Sequence, residues 1–161
     1  MEISIVQAAS PAEIAEVRSL FEEYAASLNF SLCFQDFAHE LSSLPGSYAP
    51  PSGRLLLAVV ASRQDRPAGC VAMRRIDSLT GELKRLYVRP GFRGQGIGRT
   101  LTQKIIEEAR ECGYSRLRLD TLDSMAEAQS LYRSLGFALI KPYRINPAST
   151  GDAICMELAL D

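Results

Sequence analysis

Leu83-Lys84-Arg85-Leu86-Tyr87-Val88-Arg89-Pro90-Gly91-Phe92-Arg93-Gly94-Gln95-Gly96-Ile97-Gly98-Arg99 reads as a strand, a proline-broken turn, a run of spaced glycines and the start of a helix. The helix continues to about Cys112, because Ile97, Leu101, Ile105 and Ala109 share one face and Gly113 stops it. A helix N-terminus carries unpaired N–H groups and the positive end of a dipole, so it attracts anions. Glycines ahead of it let the backbone approach a phosphate with no Cβ in the way. The stretch therefore predicts a site for a phosphate-bearing cofactor.

Upstream, Ile3 to Ala8 reads as a strand. Ser10-Pro11-Ala12-Glu13 supplies an N-cap, a proline in the first turn and a capping-box glutamate, and Ile14, Val17, Phe21, Tyr24 and Leu28 carry a helix to about Ser27. A weaker helix spans Phe34 to Leu44, and Pro45-Gly46 with Pro50-Pro51-Ser52-Gly53 breaks the pattern into a loop. Leu55 to Ala61 and Ala68 to Ile76 form a hairpin across Arg63 to Pro67, and a turn from Asp77 to Gly81 leads into the strand Glu82 to Val88.

Downstream, Ser115 to Leu122 alternates Leu117 and Leu119 against Arg116, Arg118 and Asp120. Ser124-Met125-Ala126-Glu127 reads as a second capping box, opening a helix through Ala128, Leu131, Tyr132 and Leu135 that Gly136 ends. Phe137 to Tyr143 and Ala153 to Leu160 are the closing strands. The order β-α-α-β-β-β-α-β-α-β-β predicts residues 1–161 as one α/β domain, a mixed sheet with helices packed on it.

The 161 residues suffice for a real core, and apolar and charged shares of 47% and 23% are those of an ordinary globular protein. A net charge of -1 argues against nucleic acid or an anionic membrane as the main partner. Lys84, Arg85, Arg89, Arg93, Arg99 and Lys104 crowd the glycine region with only Glu82 against them, which suits a polyanion, although such a patch is commonly a solvated face. The start of the chain has no basic and apolar leader pattern, and no apolar run approaches the ~18 residues of a membrane helix. Cys33, Cys70, Cys112 and Cys155 are scattered without CxxC spacing, which predicts reduced thiols in a cytoplasmic protein. His39 is the sole histidine, so no multi-histidine metal site is expected.

Which cofactor the glycines hold follows from their spacing. A P-loop needs Lys and then Ser or Thr after its last glycine, but Gly98 is followed by Arg99-Thr100. The dinucleotide fingerprint G-x-G-x-x-G fails as well, since its third glycine would fall on Arg99 or Leu101. What is present is Arg93-x-x-Gly96-x-Gly98, with Ala128-x-x-Leu131-Tyr132-x-x-Leu135-Gly136-Phe137 downstream.

Together these motifs, over the whole chain, resemble the GNAT superfamily of N-acetyltransferases. The resemblance implies a mostly antiparallel central sheet flanked by helices, and acetyl-CoA as cosubstrate; the lone histidine and scattered cysteines predict no metal. It implies that the pyrophosphate lies on the backbone of Arg93, Gly94, Gln95, Gly96, Ile97 and Gly98, with Arg99 just inside the helix. It also implies a bulge in the strand Glu82 to Val88, which would splay from Ser115 to Leu122 and leave main-chain groups of Leu86, Tyr87 and Val88 for the pantetheine arm.

Acetyl transfer to an amine needs a neutral amine, a polarised thioester and a proton for the departing thiolate. No Ser, Cys or His constellation suggests a covalent route, so direct attack is expected. By position, the resemblance makes Tyr132 the acid and Glu82 the base, with Asp120 as the second carboxylate. Met125 stands where many members have an asparagine that contacts the coenzyme arm, so backbone or Ser124 would have to substitute. A non-catalytic coenzyme A-binding or sensor domain on the same fold, and a dinucleotide-dependent oxidoreductase, are the alternatives.

The acceptor, a small-molecule or peptide amine, should meet the segment between Phe21 and Gly53 and the loop between Tyr143 and Asp152. Phe30, Phe34, Phe37 and Tyr48 in the first of these read as core rather than as an aromatic cage. An open sheet edge at the C-terminal strands would permit a homodimer.

Overall fold

The structure, a computed structural model, describes residues 2–28, 36–61, 66–122, 124–143 and 153–160. Among the described residues seven strands form one sheet in the order β1-β2-β3-β4-β5-β7-β6: β1 Ile3–Gln7, β2 Arg54–Val60, β3 Pro67–Asp77, β4 Thr80–Val88, β5 Arg116–Leu122, β6 Ala138–Ile140 and β7 Ala153–Ala159. All neighbouring pairs are antiparallel except β4 and β5, which the helix between them makes parallel. The helices are α1 Pro11–Ala26, α2 Phe37–Ser43, α3 Ile97–Glu111 and α4 Ala126–Ser134. The mixed α/β architecture and its element order are those the sequence predicts.

The period-2 alternation of the central strands splits the core between the two faces. On one face Leu56, Ala58, Val71, Met73, Leu83, Leu117 and Leu119 pack against Ile97, Leu101, Ile105 and Ala109 of α3. On the other, Leu55, Leu57, Cys70 and Ala72 pack against Ile14, Val17, Leu20 and Phe21 of α1, with Tyr48 beside them. Tyr48 is thus a core residue, edge-on to Phe21 at 6.0 Å, and Phe37 packs against the same cluster. Phe30 and Phe34 lie outside the described residues. The capping box at Ser10 is formed in both directions: its hydroxyl accepts from the Glu13 amide at 3.1 Å, and the Glu13 carboxylate accepts from the Ser10 amide at 3.0 Å.

Two local expectations are corrected. The second capping box does not form: Met125, not Ser124, is the N-cap of α4, and no side chain among the described residues caps it. The Met125 amide is already spent in a turn, donating to the Leu122 carbonyl at 2.9 Å, and Gln129 donates to the same carbonyl at 2.7 Å. Helix entry is delayed by that turn. The strand expected over Phe137 to Tyr143 is only Ala138–Ile140, because Lys141-Pro142 follows and proline has no N–H for the ladder. The loop expected between Asn146 and Asp152 lies outside the described residues, as does the turn at 62–65.

The sheet is parted between β4 and β5. Their pairing covers only Thr80–Glu82 against Arg116–Arg118. Beyond it β4 bulges: Cys70 faces Tyr87 and Ala72 faces Lys84, so Arg85 and Leu86 together oppose Val71. Arg85 has φ 61°, a left-handed conformation for a non-glycine residue. The bulge expected in this strand is therefore present.

Gly69 makes room for that strand. A Cβ there would run into the Tyr87 carbonyl oxygen and come within 3.1 Å of the Val88 Cα. Gly69→Ala should therefore destabilise the fold by about 2 kcal/mol or more, read from urea unfolding.

Candidate active site

The parting between β4 and β5 opens a cavity of about 580 Å³. Leu83, Lys84, Arg85, Leu86, Tyr87 and Val88 of β4 line one wall, and Asp120, Thr121 and Leu122 of β5 the other. Ser124, Met125, Ala126, Glu127, Ala128 and Tyr132 close it from α4, and Tyr24, Ser27 and Leu28 from the end of α1. Arg93 stands at its mouth, donating to the Val88 carbonyl at 2.8 Å with its guanidinium 5.7 Å from the Tyr87 ring centre.

The glycine loop leads from Arg93 into α3. Gly94 and Gly96 have φ of 80° and 79°, values that L side chains resist, and a Cβ at either would project into open space. Gly96 is the N-cap of α3, and no side chain among the described residues caps the helix. The first amides of a fifteen-residue dipole are left for an external acceptor. The helix start also abuts β4: a Cβ on Gly98 would lie 3.8 Å from Val88 Cγ2. Arg99 is turned aside, donating to Ser134 Oγ at 2.6 Å.

An elongated thioester carrier with a diphosphate fits this arrangement. The uncapped helix start offers amides to phosphate oxygens, and the gap beside Leu86, Tyr87 and Val88 offers strand groups that β5 does not pair. Tyr132 lines the cavity although it is only 5% exposed, and its ring packs on Phe137 at 5.7 Å. Burial pushes its phenol well above the ordinary tyrosine range, so it remains a protonated donor. Its hydroxyl has no hydrogen-bond partner among the described residues and is not sealed off.

The two carboxylates are placed differently. Glu82 is fully buried: its Oε1 accepts from Arg74 Nε at 2.9 Å and its Oε2 from the Tyr143 hydroxyl at 2.7 Å. It does not line the cavity, whereas the half-buried Asp120 does. Met125 is in the lining too, its sulfur accepting from the Thr121 hydroxyl at 3.4 Å, and Ser124 stands beside it.

The basic cluster is a solvated face only at Arg93 and Arg99, which are exposed. Lys84 and Arg85 are 6% and 5% exposed, and three of the six cations pair with acids. Arg85 is held bidentate by Glu40 at 2.9 Å and lies between the Tyr24 and Phe37 rings, while Arg89 pairs with Glu23 at 3.0 Å. Lys104 pairs with Glu107 at 3.7 Å. Lys84 is the residue whose importance its sequence context hides. Burial pulls its ammonium down to about 8; the Glu82 carboxylate opposes the shift, Arg85 adds to it, and Asp120 and Arg74 contribute less. Of the four cysteines, Cys70, Cys112 and Cys155 form no disulfide among the described residues, and Cys33 lies outside them. No helix among the described residues is long and apolar enough to cross a membrane.

The fold and the parted strands define a class, the acyl-CoA N-acyltransferases. The description "Acetyltransferase (GNAT) family" matches residues 15–137. An uncharacterised N-acetyltransferase of Schizosaccharomyces pombe is 37% identical over 146 residues, covering 90% of this chain and 88% of that one. A GNAT-family acetyltransferase of Staphylococcus aureus superposes with TM-score 0.79 at 22% identity, over 99% of this chain and 100% of that one. Another, from Elizabethkingia anophelis with acetyl-CoA bound, superposes with TM-score 0.70 at 22% identity over 98% of each chain. This chain belongs to the GNAT family of N-acetyltransferases.

Because the folded state lowers the proton affinity of Lys84, its charge costs stability below pH of about 8, and the cost fades as pH rises towards the ordinary lysine value. Lys84→Met should therefore stabilise the ligand-free protein by about 1–3 kcal/mol at pH 7. In urea unfolding at stepped pH, that gain should shrink from about pH 8 to about 10.

Proposed function

We propose that this enzyme moves an acetyl group from acetyl-CoA directly to an amine of a small-molecule or peptide acceptor. The observation that supports this most is the coincidence of an uncapped, glycine-led helix start with a parted strand pair and a cavity-facing phenol. Acetyl-CoA, when bound, supplies a thioester carbonyl open to an amine and a thiolate that must leave.

In this reading the amides of Gly94, Gln95, Gly96, Ile97, Gly98 and Arg99 hold the diphosphate, with Arg93 beside them. Main-chain groups of Leu86, Tyr87 and Val88 orient the pantetheine arm, and the Met125 side chain contributes packing in place of an amide. Tyr132 gives its proton to the departing sulfur. The Glu82 carboxylate is engaged by Arg74 and Tyr143, so it acts at one remove, holding that pair in place, and Asp120 takes the proton of the attacking amine. Cys70, Cys112 and Cys155, without a disulfide among the described residues, fit a reducing, cytoplasmic setting.

Titration with acetyl-CoA and thiol release over a panel of amines test the assignment. Tyr132→Phe should lower kcat at least about tenfold with little change in acetyl-CoA affinity. Asp120→Asn should lower kcat more than Glu82→Gln does. Gly96→Ala, strained at φ 79° and placing a methyl on the phosphate path, should raise the acetyl-CoA Kd about tenfold. Tight binding with no thiol release from any amine would favour a coenzyme A sensor instead.

A further inference from the structure

Lys84 and Arg85 are consecutive, yet the bulge turns both side chains to the α1 face of the sheet. On that face the neighbouring basic groups are matched with acids: Arg85 with Glu40, Arg74 with Glu82, and Arg118 with Glu157 at 2.7 Å. Lys84 has no hydrogen bond or ion pair among the described residues. Every fully enclosed polar side-chain atom there does have a partner, so the Lys84 ammonium reaches the cavity it lines. Burying an ammonium without a counter-ion is expensive, and nothing in the packing requires a charge at this position.

Asp120 faces the same cavity and is likewise without a partner among the described residues. The two groups act on one another electrostatically but do not form an ion pair. One cavity therefore presents an open cation and an open anion, the complement of a molecule carrying both an ammonium and a negative group.

That negative group is not the diphosphate of the coenzyme. The start of α3 abuts Val88, and Lys84 lies back along β4 across the bulge, opposite Ala72 where Val88 is opposite Gly69, about 10 Å for those three steps of β3. Nor does the site suit a dianion: around Lys84 the Glu82 and Asp120 carboxylates are offset by Arg85 and Arg74, so the one ammonium is balanced by a monoanionic carboxylate rather than by a phosphate.

We propose that the acceptor is an amino acid or related amino carboxylate, its carboxylate held by Lys84 and its ammonium by Asp120 before transfer. This rests on reading the cavity as an acetyl-transfer site, and names the acceptor class for it.

Matched triples test it: phenylalanine, phenylalaninamide and phenethylamine, then the same set built on lysine, methionine and glutamate, all at saturating acetyl-CoA with thiol release as readout. The acids should exceed their carboxamides and decarboxylated amines at least about tenfold in kcat/KM, mainly through KM. Lys84→Met should bring that ratio to about one while leaving the acetyl-CoA Kd within about twofold, which also reports that the variant is folded. Carboxamides used as well as acids would overturn the inference, as would an acid preference that survives in Lys84→Met. So would a loss of acetyl-CoA affinity in that variant. Thiol release from plain amines without acid preference strikes this inference alone; no release from any amine removes the acetyl-transfer reading with it.

Discussion

Arg85 sits in a left-handed backbone conformation in the middle of the strand that would otherwise zip β3 to β5. A non-glycine residue held there costs about 1–3 kcal/mol, so the surrounding structure must over-determine it. It does: Glu40 grips the guanidinium with two hydrogen bonds, and the Tyr24 and Phe37 rings lie 5.8 and 5.4 Å away. The strain is offset by contacts from α1 and α2, and its consequence is the cavity. With β4 displaced at Arg85, its pairing with β5 stops at Glu82, and the strand beyond is free to face a ligand.

The same bulge governs the electrostatics. By placing Lys84 and Arg85 on one face, it brings two cations into a region already holding Arg74 and Arg118. The fold supplies Glu40, Glu82 and Glu157 as counter-ions, each within hydrogen-bond reach of its arginine. Lys84 and Asp120 line the cavity with no hydrogen bond or ion pair among the described residues. A short network behind the cavity, in which Tyr143 and Arg74 both bind Glu82, fixes that carboxylate inside the protein. The cavity wall thus divides into charges that hold the structure and charges left for a visitor.

Much of this was readable along the chain. Gly94, Gly96, Gly113 and Gly136 all have positive φ, and their positions marked the turn before α3 and the ends of α3 and α4. Ser10 and Glu13 announced the start of α1, and the alternation around Leu117 and Leu119 gave β5 its buried face. The spacing of Arg93, Gly96 and Gly98 with Tyr132 pointed to the family. Ser124 misled, because its capping pattern competes with a turn closed by Leu122, and no rule of spacing ranks the two.

Local chemistry settles what only neighbours in sequence can influence: a φ that only glycine adopts easily, a missing N–H at proline, a periodic apolar face. For this chain that covered the elements, their order and the glycine loop before α3. The fate of each charge depends on distant segments. Arg85 meets a carboxylate 45 residues away and Glu82 a phenol 61 residues away, so burial of Glu82, matching of Arg85 and isolation of Lys84 arise only when the sheet and helices assemble. Coulomb energy and desolvation answer to distance in space, and separation along the chain does not report it.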